Sequence, residues 1–421
     1  MPSTKDVQAG HPLVRYSAPA TEAARPRYSP LEPLPLPPGG PAPGGSPDLD
    51  QILEEIAATL RLTPTQFECA EAAYGAVTEW LAADDSALAP YRPALYPQGS
   101  AALRTNNRPV GRNDHDVDVV CQLRVTGWDA MRVYDAIHQR LADHGVYRKM
   151  LERKDRCVRL NYARDFHLDI IPAEPAPRPD LRWGELAVRI PDRARAGWTP
   201  SNPAGYVRWF HHQAETARLT KAARDAAPLP RPGKPGDATV LALVVQLIKR
   251  YRDLRFAEPA RAALAPRSVV LTTLAAMGYD GEQRTSVALH QVVTGMAAAV
   301  RAAWPSRVVI PNPTNPAERF CDKFTTDSYA EFVDFLLRLE AEVTAILAPS
   351  ASGLTMLRPQ FATLFGEEPV RKALVEYADR VAKAAREGRV RVSAGAGLTV
   401  VGAATDPGRV VPSHRFFGGT R

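Results

Sequence analysis

From residue 48 onward, apolar residues recur first at helical spacing and later at every second position. Asp48-x-x-Gln51 reads as a capping box ahead of Ile52, Leu53, Ile56 and Leu60. A second helix start follows at Thr63-Pro64-Thr65-Gln66, with Pro64 at the first helical position. Phe67, Ala70, Tyr74, Val77 and Leu81 then repeat on one helical face, a stripe expected to pack on the unit that follows. Residues 95–172 read as strands around one helix. Val117, Val119, Cys121 and Leu123 alternate with more polar positions, whereas Trp128 to His144 carries Met131, Tyr134, Ile137 and Leu141 at helical spacing. Cys157-Val158-Arg159-Leu160 and Phe166-His167-Leu168-Asp169-Ile170-Ile171 form a predicted hairpin pair, stopped by Pro172.

Prolines and glycines from 172 to 237 predict a long irregular connector with one short helix near Tyr206 to His212. From Ala238 the pattern turns helical, over 238–256, 268–278, 284–303, 328–348 and 368–387. Pro311-Asn312-Pro313-Thr314-Asn315-Pro316 interrupts that run, and a strand is expected around Val390 to Val392. The expectation is an α+β chain in three parts: a tail at 1–47, a mixed half at 48–237 and a helical half at 238–421, with a cleft between the halves.

Composition adds limits. The first 47 residues hold 12 of the 39 prolines and five glycines, too little apolar area to offset ordering entropy, which predicts a flexible or polyproline-II tail. The remainder suits a chain with a real core: 45% of all residues are hydrophobic and 24% charged. A length of 421 suggests two or three globular units, or one large two-lobed unit. No apolar run approaches the roughly 20 residues of a membrane span, and the longest, Thr239 to Ile248, ends in Lys249 and Arg250. No secretory core is visible near the N-terminus. Cys69, Cys121, Cys157 and Cys321 lie far apart without C-x-x-C pairing, which argues against a zinc ribbon or disulfide scaffold. Together these predict a cytoplasmic protein with no membrane partner. A net charge of +7 permits a polyanionic partner such as a nucleotide, but it is mild for a chain this long.

The chemistry lies at three acids. Asp116 and Asp118 are two apart on a predicted strand, so both carboxylates face one side. Asp114 shares their parity but sits at the loop end, whereas Val117 and Val119 flank Asp118 and favour the Asp116/Asp118 pair. Adjacent carboxylates repel, and Mg2+ (or Mn2+ in its place) is the natural compensating cation, being oxygen-seeking and shared with substrate phosphates. Asp169 is a third acid on a separate apolar strand, with Phe166, Leu168 and Ile170 on the opposite face. Three such acids suit a metal pair about 3.5–4 Å apart for in-line nucleotidyl transfer. Gly99 lacks a Cβ where backbone must approach an anion, and Ser100 offers a hydroxyl and an N–H at a helix start.

These residues fall in a longer resemblance. Tyr96-Pro97-Gln98-Gly99-Ser100, Arg108-Pro109 and His115-Asp116-Val117-Asp118-Val119-Val120-Cys121-x-Leu123 resemble the core of bacterial cGAS/DncV-like nucleotidyltransferases (CD-NTases). The likeness continues through Trp198-x-x-Ser201-Asn202-Pro203-x-Gly205-Tyr206, Val245-Gln246-Leu247-Ile248-Lys249-Arg250-Tyr251 and Ser268-Val269-Val270-Leu271-Thr272. It extends to Pro311-Asn312-Pro313 with Glu318, Phe320 and Lys323, and to Phe365-Gly366-Glu367. It implies a polymerase-β-like core plus a helical lobe, joining NTPs such as ATP or GTP into a cyclic di- or trinucleotide second messenger with release of pyrophosphate. It also implies an anti-phage CBASS role, with a product-activated effector and CBASS accessory proteins as partners. Metal ligation falls to Asp116, Asp118 and Asp169, with Asp169 also helping to deprotonate the attacking hydroxyl. Substrate binding falls to Gln98, Gly99, Ser100, Lys249 and Ser268. The chain departs from the pattern at Arg104-Thr105, where a glycine usually precedes the threonine, at Arg319 in place of asparagine, and at Phe324 in place of tryptophan. With no zinc-ligand cluster, activation by nucleic acid is not expected.

Other readings stay open at this level. Lys249 and Arg250 follow the apolar helix, either as a solvated cationic end or with Lys249 crossing to the phosphates. Arg252 and Asp253 suit a structural ion pair. Ser268 and Thr272 either offer two hydroxyls to the nucleotide or serve the helix, Ser268 as its cap. His115 and His167 suit packing or solvent roles better than Mg2+, and His211-His212 suit the surface. Phe416-Phe417-Gly418-Gly419 reads as a docked tail. Rival functions are a linear product, modification of a protein or RNA end, or a nucleotide-binding scaffold.

Overall fold

A computed structural model of the chain describes residues 47–110, 115–162, 166–214, 239–347, 354–393, 397–400 and 409–410. The proline-rich segment to residue 46, Asp114 and the Phe416-Phe417-Gly418-Gly419 tail lie outside the described residues. Seven strands form one sheet: β1 (Ala94–Pro97), β2 (His115–Gln122), β3 (Leu151–Arg153), β4 (Val158–Tyr162), β5 (Phe166–Pro175), β6 (Val188–Asp192) and β7 (Gly197–Ser201). Their order is β1-β2-β5-β4-β3, with β6 paired to β5 and to β7. Among the described residues only β2 and β5 run parallel, and this pair carries the acids.

The helices are α1 (Pro47–Leu60), α2 (Pro64–Ala82), α3 (Gly99–Ala102), α4 (Ala130–Ala142), α5 (Pro203–Ala214) and α6 (Val240–Arg255). They continue through α7 (Pro259–Ala262), α8 (Ser268–Gly278), α9 (Thr285–Ala303), α10 (Thr326–Leu347), α11 (Leu354–Phe365) and α12 (Glu367–Arg386). A hairpin of β8 (Pro311–Asn312) and β9 (Asn315–Arg319) fills the proline-rich break, and β10 (Val390–Ser393), β11 (Gly397–Val400) and β12 (Arg409–Val410) form a small third sheet.

Alternation decides which face of the large sheet is covered. Val117, Val119, Cys121, Leu168, Ile170, Val158 and Leu160 pack against α2 and α4, meeting the predicted stripe of Phe67, Ala70, Tyr74, Val77 and Leu81. Each fully buried Val, Leu or Ile among them contributes roughly 1.5–3 kcal/mol. Thr63 caps α2 as expected: Gln66 N–H donates to Thr63 Oγ1 at 3.2 Å, and Thr63 N–H donates to Gln66 Oε1 at 3.0 Å. On the other face, Val120, Ile171 and Ala173 pack with Val188, Ile190 and Tyr96. One turn of the pleat further along β2 and β5, that same face carries the acids.

The helical half is built around α6, whose residues Leu241 to Tyr251 are buried without a break. Lys249 and Arg250 therefore lie inside the packed helix rather than at a solvated end. The Arg250 Nε–H donates to the Phe365 carbonyl at 2.9 Å. Gly366 follows at φ +93°, and a Cβ there would meet Arg250 Nη2 at 2.9 Å, which accounts for the Phe365-Gly366-Glu367 sequence.

Four expectations are corrected. Asp48 is not a cap: α1 already begins at Pro47, and Asp48 Oδ1 accepts from Tyr377 of α12 at 2.8 Å. The stripe of α1 and the aromatic face of α5 join the core of the helical half although both precede residue 238, because that is where matching apolar surface is offered. Pro172 does not stop β5. It sits after the β4 pairing ends at Ile170 and before the β6 pairing begins at Glu174, where that edge has no ladder to break. The irregular connector holds the β6–β7 hairpin, and α11, with Pro359 inside it, was hidden by that proline. Among the described residues no helix is long and apolar enough to cross a membrane.

Candidate active site

Strand register assembles the acidic wall. In the parallel β2–β5 pair Asp118 stands beside Asp169 and Asp116 beside His167. In the antiparallel β4–β5 pair Arg159 stands beside Asp169 and Asn161 beside His167. Side chains on neighbouring strands in register share a face, so one rung reads Asp118, Asp169, Arg159 and the next Asp116, His167, Asn161. Arg159 donates from Nε to Asp169 Oδ1 at 2.7 Å and from Nη2 to Asp169 Oδ2 at 2.8 Å. The same Nη2 reaches Asp116 Oδ1 at 3.1 Å. Burial pushes the Asp118 carboxyl up to about 7, and the nearby charges of Asp169 and Asp116 add to the shift.

The turn before β2 touches this wall directly. Gln98 N–H donates to the Asp118 carbonyl at 2.9 Å, and Gly99 follows with φ +59°. A Cβ on Gly99 would stand 2.5 Å from Asp118 Oδ2. Glycine is thus required twice here, by its backbone angle and by the approach of the carboxylate. The departure at Arg104 has a counterpart in the backbone, since Arg104 takes φ +57°, a conformation the usual glycine adopts without strain.

Opposite lies a basic wall from the helical half. Lys249 is buried, donates from Nζ to the Thr105 carbonyl at 2.7 Å, and has its pKa lowered to about 8, chiefly by burial and then by the Arg252 charge. Arg252 pairs with Asp253, as expected, and also donates from Nη1 to Ser268 Oγ at 2.6 Å. Ser268 is the first residue of α8 rather than its cap. Because its oxygen accepts from Arg252, its hydroxyl proton stays available to a ligand. Thr272 donates its own hydroxyl to the Ser268 carbonyl at 2.8 Å, so the two side chains do not act alike.

Among the described residues two neighbouring cavities open in the cleft. The larger, about 630 Å3, touches Asp116, Asp118, Lys249, Arg252 and Arg267. The smaller, about 220 Å3, is lined by Gln98, Tyr206, Asn312, Glu318 and Phe320 among others. Gly99, Ser100, Lys249 and Ser268 line both. Of the residues expected from sequence, Gln98 reaches only the smaller cavity. Asp169 lines neither, its two oxygens being held by Arg159. His211 is not a simple surface residue, since its Nε2 bonds the Ala102 carbonyl at the end of α3 at 3.1 Å. Sequence reasoning assigned no role to Arg159, because its place across from Asp169 follows only from the β4–β5 register, in which Tyr162 faces Phe166.

The donor chemistry of the acidic wall fits a hard divalent cation. Three carboxylates share one face, and Asp118 is raised by burial first and by the charges of Asp169 and Asp116 after it, so positive charge beside it would be favourable. Among the described residues, however, no three His, Cys, Asp or Glu side chains are drawn together into a metal-ligand group. Arg159 stands between Asp116 and Asp169, bonded to both.

Comparison with known proteins agrees with this geometry. The family model described as the Second Messenger Oligonucleotide or Dinucleotide Synthetase domain matches residues 48–213. Over 339 residues the chain is 30% identical to the c-di-GMP synthase of Roseivirga ehrenbergii, covering 79% of this chain and 88% of that protein. It is 27% identical over 296 residues to the cyclic dinucleotide synthase CdnG of Bradyrhizobium diazoefficiens, 66% of this chain and 70% of that one. The structure of the Bradyrhizobium CD-NTase CdnG in complex with GTP matches with a TM-score of 0.61 at 24% identity, over 78% of this chain and 99% of that one. Sheet, cleft and acid row define a polymerase-β-like nucleotidyltransferase. The chain belongs to the cGAS/DncV-like CD-NTase family, and it is a nucleotide-binding enzyme that makes a cyclic oligonucleotide.

Proposed function

We propose that the enzyme joins two purine nucleotides, GTP among them, into a cyclic dinucleotide, using Mg2+ or Mn2+ held by Asp116, Asp118 and Asp169. The observation that carries this reading is the pair of cavities meeting at Gly99, Ser100, Lys249 and Ser268, with Asp116 and Asp118 on the larger. Two nucleotides can thus flank one acid row. The Roseivirga relative is named a c-di-GMP synthase, and the Bradyrhizobium relative a cyclic dinucleotide synthase whose structure holds GTP, which supports a guanine-containing dinucleotide.

In this reading a hydroxyl of one nucleotide attacks the α-phosphate of the other, the bond to the β-phosphate oxygen breaks, and pyrophosphate leaves. The linear product then reacts a second time to close the ring. Bound divalent cations supply a lowered hydroxyl pKa and charge neutralisation at the leaving group. Lys249 uses one of its three donors on Thr105 and keeps two for phosphate oxygens. Ser268 donates its free hydroxyl beside it. Gly99 and Ser100 bring main chain against the triphosphate, and Gln98 faces the smaller cavity. Asp169 helps to accept the proton of the attacking hydroxyl. The product would act as a second messenger on an effector protein in anti-phage defence, with accessory proteins of the same system as further partners.

Incubating the pure enzyme with all four labelled NTPs and Mg2+ or Mn2+, followed by phosphatase and mass spectrometry, tests this. A phosphatase-resistant guanine dinucleotide, absent with Asp116→Asn, is expected. Only phosphatase-sensitive products would mean linear synthesis, and a resistant product without guanine would overturn the substrate assignment.

A further inference from the structure

Arg159 is the one guanidinium bonded to two of the three acids among the described residues, and its two links differ in strength. To Asp169 it makes two charge-assisted bonds in fork geometry, at 2.7 and 2.8 Å, on a carboxylate whose residue is 8% exposed. To Asp116 it makes one bond of 3.1 Å, on a side chain that is 54% exposed. The shared atom is Nη2, so the fork can leave Asp116 without leaving Asp169. The β4–β5 register fixes Arg159 directly across from Asp169, and Asp116 lies one rung away on the diagonal.

We propose that Arg159 is a positioning residue, a resident counter-cation that ties Asp116 to Asp169 in the metal-free enzyme, releases Asp116 when a divalent cation binds, and remains on Asp169. The proposal rests on the reading of Asp116, Asp118 and Asp169 as the metal site. Two consequences follow from charge alone. The guanidinium lowers the repulsion among the acids when no metal is bound, and it opposes the arrival of a second cation a few ångströms away. It also explains why three acids on one face are not drawn into a ligand group, and why Asp169 lines neither cavity.

The test is Mn2+ binding to the full chain, read from the electron paramagnetic resonance signal of the free ion, together with melting in EDTA and in Mn2+. Arg159→Gln is expected to bind Mn2+ about tenfold tighter than the wild type, to melt lower in EDTA, and to gain more on adding Mn2+. Arg159→Lys, which keeps the charge and loses the fork, falls between the two. A purely structural arginine would lower the melting temperature without tightening Mn2+, so unchanged or weaker Mn2+ binding in Arg159→Gln overturns the proposal. Should Arg159→Gln fail to fold, Arg159→Lys decides: affinity above wild type supports the proposal, and affinity at or below it does not. Asp118→Asn separates the two readings. If it binds Mn2+ as tightly as the wild type, or if the wild type binds none, the metal site itself is misassigned and the proposal falls with it.

Discussion

The two walls of the cleft carry opposite charge and come from opposite kinds of structure. On the sheet side, Asp116, Asp118 and Asp169 are set by strand register, and their nearest counter-charge is a guanidinium on the same sheet. On the helical side, Lys249 is a buried ammonium on a closely packed helix, bonded to the Thr105 main-chain carbonyl and close enough to feel the charge of Arg252. Burial is the main cost on both walls: it raises Asp118, with the neighbouring acid charges adding to it, and it lowers Lys249, with the Arg252 charge adding to it. The sheet wall therefore demands an added cation, and the helical wall demands an added anion. On the proposed reading, a metal–nucleoside triphosphate would satisfy both at once.

The largest effect should come from the sheet wall. Asp118→Asn removes the acid that faces the larger cavity beside Gly99 with little change in shape, and turnover should fall by on the order of 10^3 or more while the fold is kept. Initial-rate measurement of product, with circular dichroism as the check on folding, decides this. Activity within tenfold of wild type would mean that the acid row is not the catalytic wall. Next comes Gly99→Ala, which adds a methyl 2.5 Å from Asp118 Oδ2 at a left-handed backbone angle. It should lose about a hundredfold in kcat/KM and about 2–3 kcal/mol of stability, measured by urea unfolding.

This contrast also explains what could be read from sequence. Period-two alternation of Val117, Val119 and Cys121 fixed the parity of Asp116 and Asp118, because a buried face leaves only one register. Asp169 followed from the same rule on β5. The predicted hairpin already contained Arg159, yet the pairing of 159 with 169 appears only when the register is counted along the two strands. The helical wall resisted in a different way. Lys249 looked like the end of an apolar helix because periodicity says nothing about how many neighbours will surround it. That Ser268 keeps a free hydroxyl proton while Thr272 does not depends on an arginine sixteen residues upstream of Ser268 and on a helix carbonyl. Likewise α1 patterned as an ordinary amphipathic helix, and only packing assigns it to the helical core through Tyr377 and Asp48.

The helical wall yields a smaller effect with a pH signature. Lys249→Met should weaken nucleotide binding about tenfold to a hundredfold, the range for losing a charged hydrogen bond of about 1.5–3 kcal/mol. In the free enzyme the ammonium deprotonates near a lowered pKa of about 8, so wild-type affinity for GTP should fall as pH rises through that value. The variant should show no such fall. Stability moves the other way. The folded pKa lies below the ordinary value of 10.5, so the burial penalty is complete below about 8 and is relieved as pH rises toward 10.5. Wild type should therefore gain on Lys249→Met in melting temperature across that window. Isothermal titration at several pH values, with parallel melts, checks both signs, and a pH-independent wild-type affinity would remove Lys249 from the phosphate site.

The smallest effect separates strain that serves the site from strain that does not. Gly99 and Arg104 hold nearly the same backbone angle, φ +59° and +57°, at the start of the short helix α3 and just past its end. At Gly99 a side chain would strike Asp118, whereas at Arg104 one is already present and exposed. The left-handed conformation costs a non-glycine residue about 1–2 kcal/mol, and glycine gives back roughly 0.5–1 kcal/mol through its freer unfolded chain. Arg104→Gly should therefore stabilise by several tenths of a kcal/mol to about 1 kcal/mol, a rise of one to a few degrees in melting temperature, with product formation unchanged within about twofold. If instead turnover falls while stability rises, the guanidinium at 104 takes part in handling the substrate, and the departure from the family's glycine at that position is functional rather than tolerated.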